Sequence, residues 1–166
     1  MIEHYVSGIY LGTTDWPNYN YGLWRNMGDK IEGNKLSDGK WRFMTYDLDK
    51  TVGNNYLDIG DIEVYEYNMF VHMLRKVKNP PTSLFMALLQ NEDFKNKFIK
   101  IFCDYINDVM AIYRIEPLLE YYRANVTDIL QIHSKEGEDS TDNTSKDTLD
   151  TKINLILHLI KSKIIL

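Results

Sequence analysis

The sequence predicts an α+β fold, a mostly helical domain that carries one small β-hairpin. Three observations predict it. Apolar residues recur at helical spacing in the first ten residues and again through most of the second half. Between those regions lie two short runs rich in aromatic residues, separated by a polar connector with three glycines, which read as the strands of a hairpin. At 166 residues, 44% of them apolar and 26% charged, the chain is large enough for one ordinary core and has the balance of a soluble globular protein.

The elements follow in order. Ile2, Tyr5, Val6, Ile9 and Tyr10 fit the i, i+3, i+4, i+7, i+8 stripe of an amphipathic helix, which Gly12 ends. Thr13 to Gly22 (TTDWPNYNYG) is dense in turn formers. A short strand is expected at Leu23–Asn26, then the connector with Gly28, Gly33 and Gly39, then the returning strand within Lys40–Asp47. Asp47 to Asp61 has no period and reads as loop. From Val64 the pattern is helical, interrupted at Pro80 and Pro81, with Thr82 or Ser83 placed to cap a helix through Gln90. Asn91 precedes a longer helix whose stripe is Phe94, Phe98, Ile101, Phe102, Tyr105 and Val109. Leu118, Leu119, Tyr122, Val126, Ile129 and Leu130 repeat the pattern after Pro117. No internal repeat is present.

Charge is concentrated. Between Ser134 and Thr151 six acids face only Lys135 and Lys146, so this stretch carries −4 of the formal −5. It reads as an acidic, disordered linker rather than an acidic binding face. Domain limits follow: 1–133 as the principal domain, 134–151 as the linker and 152–166 as a short amphipathic C-terminal helix. No basic stripe exists, which argues against nucleic acid as a partner. Cys103 is the single cysteine, so an internal disulfide is excluded. The first residues, MIEHYVSGIYLG, lack the basic region and cleavage site of a signal peptide, and no segment is long and uncharged enough for a transmembrane span.

Two segments carry chemistry: Asp15-Trp-Pro-Asn-Tyr-Asn20, and Asp47-Leu-Asp49 at the end of the second strand. Phosphoryl transfer needs a carboxylate that orients the attacking hydroxyl and takes its proton. It also needs an amide oxygen and a second carboxylate that hold magnesium against the phosphates. Kinases place the first carboxylate in a loop after a helix, the amide five residues on, and the metal-binding Asp just beyond a short hairpin. Asp15, Asn20 and Asp47 stand in that order and at that spacing.

The run IYLGTTDWPNYNYGLWRN, followed by DGKWRFMTYDLDKTVG, is similar to the CotH kinase family, typified by spore-coat protein H. Its members carry a D-W-x-x-N-N…W-R segment, then G-K-W leading into D-x-D-x-x-x-G. The likeness continues through SLFMALLQNEDFKNKFIKIFCDYIND and spans roughly residues 1–133. It implies an atypical protein kinase fold in which 1–133 is part of a kinase-like C-lobe and the hairpin carries the metal-binding Asp. It also implies ATP with magnesium as cofactors, and Ser/Thr-rich protein substrates, in spores the coat proteins. Residue by residue, Asp15 resembles the catalytic Asp, Asn20 the amide on the metal and nucleotide side, and Asp47 the metal-binding Asp. Asp49 resembles either a second ligand or a loop-positioning residue. The family's phosphate-pairing lysine comes from a region before the helix at Ile2, so no lysine in this chain is assigned that role. The N-terminal lobe is therefore expected upstream, and the chain alone is expected to transfer phosphate poorly. The resemblance also suggests a spore-coat or exported location.

Other readings compete. The chain could be a relative of the kinase fold that only binds or builds structure. Asp47-Leu-Asp49-Lys-Thr51-Val52 also fits the D-x-D-x-T motif of phosphatases that phosphorylate their first Asp, although that fold needs a parallel sheet. A calcium loop counted from Asp47 would put Val52 at the glycine position and Asp58 at the final glutamate, which does not fit. His4, His72, His133 and His158 lack ligand spacing and read as surface or packing residues. Cys103 reads as buried, Trp16, Trp24 and Trp41 as core around the hairpin, and the Ile/Leu tail as packed on its own domain.

Overall fold

Helix α1 (Ile2–Leu11) forms where the apolar stripe predicts it and buries Tyr5, Val6, Ile9 and Tyr10. Gly12 ends it in the left-handed region (φ 67°), where a residue without Cβ avoids a steric cost. The N–H of Thr13 then bonds to Gly8 O and that of Gly12 to Ile9 O, the two bonds of a Schellman cap. This computed structural model describes residues 1–52, 68–75, 78–136 and 146–163. They fall into two compact units, Met1–Phe102 and Cys103–Leu166.

In the first unit, β1 (Tyr21–Trp24) pairs antiparallel with β2 (Arg42–Thr45), Tyr21 facing Thr45 and Trp24 facing Arg42. The first strand starts two residues earlier than its apolar pattern suggests, because pairing to β2 sets its limits. The connector folds on its own polar groups. Buried Ser37 accepts from Ile31 N–H at 2.7 Å, and Asn26 Nδ2 donates to the carbonyl oxygens of Gly28 and Ser37. Asp38 accepts from Arg42 at 2.8 Å, and that guanidinium holds its carboxyl down to about 2.

Three helices complete this unit: α2 (Met69–Leu74), α3 (Pro80–Leu88) and α4 (Glu92–Asp104). The helical pattern is interrupted before Pro80 as expected, and the new helix α3 opens on the two prolines themselves. The first helical N–H groups have no partner within the helix, so prolines cost nothing there, and Asn79 rather than Thr82 or Ser83 occupies the N-cap. Asn91 caps α4 as expected, its Oδ1 accepting from Phe94 N–H at 2.9 Å. The core is aromatic. Fully buried Tyr5 stacks on Phe85 at 4.3 Å, and Phe85 meets Phe98 edge-on at 5.2 Å. The Tyr5 hydroxyl donates to Pro81 O at 2.8 Å, and burial pushes its pKa up to about 12.

In the second unit a π-turn (Tyr105–Val109) leads to α5 (Ile112–Glu136), and α6 (Lys146–Lys163) lies antiparallel to it. Pro117 sits inside α5 rather than before it. α6 begins at Lys146, within the stretch read as linker, and buries Ile153 and Ile160, seven residues apart on one stripe. Arg123 pairs with Asp150 at 3.0 Å and Lys161 with Glu116 at 3.5 Å. A cavity of about 530 Å³ opens between Arg123, Thr127, Asp128, Asp150 and Asn154. No described helix is long and apolar enough to cross a membrane. The rest of the expected linker, 137–145, and the loop assigned to 53–61 lie outside the described residues.

Candidate active site

The candidate residues sit in two loops that leave the same end of the hairpin. The first, 12–20, follows α1. On either side of Asp15 the chain is buried: Thr14 is 2% exposed and Trp16 is 3% exposed. Pro17, reached through a cis peptide, is also buried. Three contacts fix this loop. His72 Nε2 lies 2.8 Å from Thr14 O in a buried hydrogen bond from α2. Thr82 of α3 donates to Asn18 Oδ1 at 3.0 Å, and Tyr19 N–H donates to Asp15 O at 3.0 Å. Trp16 packs against α1 at a point where only glycine fits, since a Cβ on Gly8 would lie 2.5 Å from its ring. The Trp16 indole N–H donates to His4 Nε2 at 2.7 Å, and His4 stacks on Phe43 of β2 at 4.4 Å. The Asp15 carboxylate, about one-third exposed, is thus carried between two anchored neighbours.

The second loop follows β2. Extending the strand register by one step sets Asn20 across from Tyr46, with Asp47 next in the chain. Both Asn20 and Asp47 adopt φ 53°, a left-handed conformation that Asn and Asp tolerate better than other side-chain-bearing residues. Val52 also lies there, at φ 49°, although a β-branched residue resists it. Backbone bonds hold it: Val52 N–H donates to Leu11 O at 2.9 Å, and Thr14 N–H donates to Lys50 O at 3.1 Å. These two bonds tie the second loop to the first.

At the join stands Lys50, a residue the sequence reading passed over. Its Nζ lies 3.0 Å from Asp15 Oδ2, both side chains being about one-third exposed. The hydrogen bond and charge of Asp15, then the charges of Asp49 and Asp47, raise its pKa above the usual lysine value. So Asp15 and the Asp47–Lys50 segment, over thirty residues apart in sequence, are joined at Lys50. The Lys immediately after Asp-x-Asp was the available signal, and its proximity to Asp15 was not legible without the fold.

The donor set was tested against magnesium. No group of three or more His, Cys, Asp or Glu side chains among the described residues is arranged to hold a metal. Magnesium bound with nucleotide needs less, usually one or two carboxylates, since phosphates and water fill its octahedron. Two carboxylates and one amide, all hard oxygen donors at one end of the hairpin, fit that requirement. Asn20 joins the set by register alone.

Matched against family models, residues 1–163 fit the CotH kinase protein family. The chain belongs to the CotH kinase family. Membership brings a kinase-like function, with the general use of ATP, metal and protein substrate that such a function entails. The match runs about thirty residues past the likeness drawn at 133, taking in the end of α5 and all of α6. No curated protein and no solved structure matches the chain. The phosphatase alternative loses its structural basis, because the described sheet is two antiparallel strands followed by helices.

Other candidate side chains fall as follows. His4 and His72 are packing residues, as expected, and His158 is exposed. Cys103 is exposed rather than buried, because it lies off the stripe through which Phe98 packs. Trp16 is core, but Trp41 is 61% exposed with Arg25 lying 4.9 Å over its ring. Trp41 stands just before the paired residues of β2, a strand that is itself only partly covered.

Proposed function

We propose that this member of the CotH kinase family uses magnesium-ATP to phosphorylate serine or threonine hydroxyls of proteins, spore-coat proteins among them. In this reading Asp15 orients the acceptor hydroxyl and takes its proton as the oxygen attacks the γ-phosphorus. The bond from that phosphorus to the bridging oxygen breaks, and the electron pair leaves with ADP. Asn20 and Asp47 would hold magnesium, which would supply charge neutralisation on the phosphates, and Asp49 would serve either as a second ligand or to position the loop. What supports the reading is the joining of the Asp15 loop to the loop that carries Asp47 and Asp49, through the Lys50–Asp15 pair and the Thr14–Lys50 backbone bond.

The test is transfer of radiolabel from γ-labelled ATP to a Ser/Thr-rich protein, by this chain and by the longest product its gene encodes. Asp15→Asn is expected to lower transfer by about 10²–10⁴-fold, the usual contribution of a general base. Asp47→Asn is expected to lower it comparably and to raise the magnesium requirement. The product should be acid-stable phosphoester. Label that resides on Asp47 as acyl phosphate, or transfer indifferent to both substitutions, would sink the assignment.

A further inference from the structure

We propose that Lys50 is a phosphate-binding residue of this site, parked on Asp15 until a magnesium-phosphate ligand arrives. The inference rests on the kinase reading above and adds a residue to it. Three features of the structure converge on Lys50.

The first is placement. A phosphoryl group in transfer lies between its attacking and leaving oxygens, next to the hydroxyl that Asp15 would orient, and its charge is neutralised by nearby cations. The Lys50 ammonium lies 3.0 Å from the Asp15 carboxylate, on the loop that carries Asp47 and Asp49, whose charges also act on it. The second is rigidity of its backbone. Thr14 N–H donates to Lys50 O, and two residues on Val52 N–H donates to Leu11 O, so the Cα of Lys50 is fixed by the loop it serves. A left-handed φ at Asp47 and at Val52 bounds the segment on both sides. Such conformations persist where surrounding structure over-determines them.

The third is the ease of exchange. The pair is about one-third exposed on each side, and ion pairs of that kind contribute little, so exchanging Asp15 for a phosphate oxygen costs little. A divalent ion on Asp47 and Asp49 would take over the compensation of those carboxylates that Lys50 now gives. Its four-carbon stem then lets the ammonium turn toward the phosphate from a fixed Cα, as a point charge needing no planar geometry. Asp15 is released at the same moment, to accept the acceptor hydroxyl.

Proton relaxation titration with manganese, alone and with tripolyphosphate, tests this on the full chain. Lys50→Met is expected to weaken binding of manganese-tripolyphosphate by about tenfold, the loss of one charge-assisted contact. Manganese alone should bind Lys50→Met as tightly as the wild type or more tightly, since a competing cation has gone. Lys50→Arg, which keeps the charge, should recover most of the tripolyphosphate affinity. Equal tripolyphosphate affinity in wild type and Lys50→Met overturns the proposal. Parallel loss of manganese binding in Lys50→Met also overturns it, because the lysine is then structural. Failure of the underlying reading looks different: wild type fails to bind manganese, or Asp47→Asn binds it unchanged, and the Lys50 assignment falls with it.

Discussion

In Met1–Phe102 the tightest packing is aromatic: Tyr5 on Phe85, Phe85 against Phe98, Trp16 against Tyr5 and into the notch left by Gly8. In Cys103–Leu166 the described helices α5 and α6 meet instead around Ile153 and Ile160, rimmed by partly exposed ion pairs such as Arg123–Asp150. The candidate catalytic carboxylates all belong to the first region. Loops that must hold carboxylates at fixed distances are thus hung on rings that cannot shift without opening a void. The second region carries none of them, and its surface charge pairs contribute little to stability. Rigidity is invested where the chemistry is proposed.

The three tryptophans all lie in the first region, so their fluorescence reports its unfolding while circular dichroism follows the helices of both. The largest expected effect is Phe85→Ala, which removes a fully buried ring shared by Tyr5 and Phe98. It should destabilise the first region by about 3–5 kcal/mol in urea unfolding followed by fluorescence. A loss near that expected of a surface residue would show that the aromatic cluster is not the anchor.

Next in size is a pH dependence. Burial, and secondarily the N-terminal charge, lower the His4 pKa to about 4 from 6.5, and its neutral Nε2 accepts the Trp16 N–H. Because the native pKa is the lower one, the unfolded chain takes up the proton first. The contribution is complete above pH 6.5 and is lost as pH falls to about 4, up to about 3 kcal/mol across that window. Unfolding free energies measured from pH 7 to 4 should lose this slope in His4→Gln.

Gly8→Ala comes third. The added methyl would meet the Trp16 ring at 2.5 Å, and overpacking of this kind costs about 1–3 kcal/mol despite the better helix propensity of alanine. A crystal structure or chemical shifts of the variant should show Trp16 displaced, and with it Asp15. An unmoved Trp16 resonance would contradict the close approach. The smallest effect belongs to the second region. Glu116→Gln, breaking the exposed pair with Lys161, should change stability by less than about 1 kcal/mol and leave tryptophan fluorescence untouched.

Periodicity alone located α1, and Gly12 its end, because burial of one face and the left-handed cap are local demands. The hairpin and the order of Asp15, Asn20 and Asp47 were equally legible, as were the tryptophan and aspartate motifs that the family match extends to 1–163. The prolines marked the break before a new helix correctly but not its first residue, because a proline fits the first helical turn and the cap falls before it, at Asn79. Cys103 and Trp41 were read as buried and are exposed, since a stripe names a face without saying what covers it. What only tertiary structure decided is the meeting of Lys50 with Asp15. That contact joins residues 35 apart through two backbone bonds between loops, and no local pattern encodes a pairing whose partners are brought together by the core beneath them.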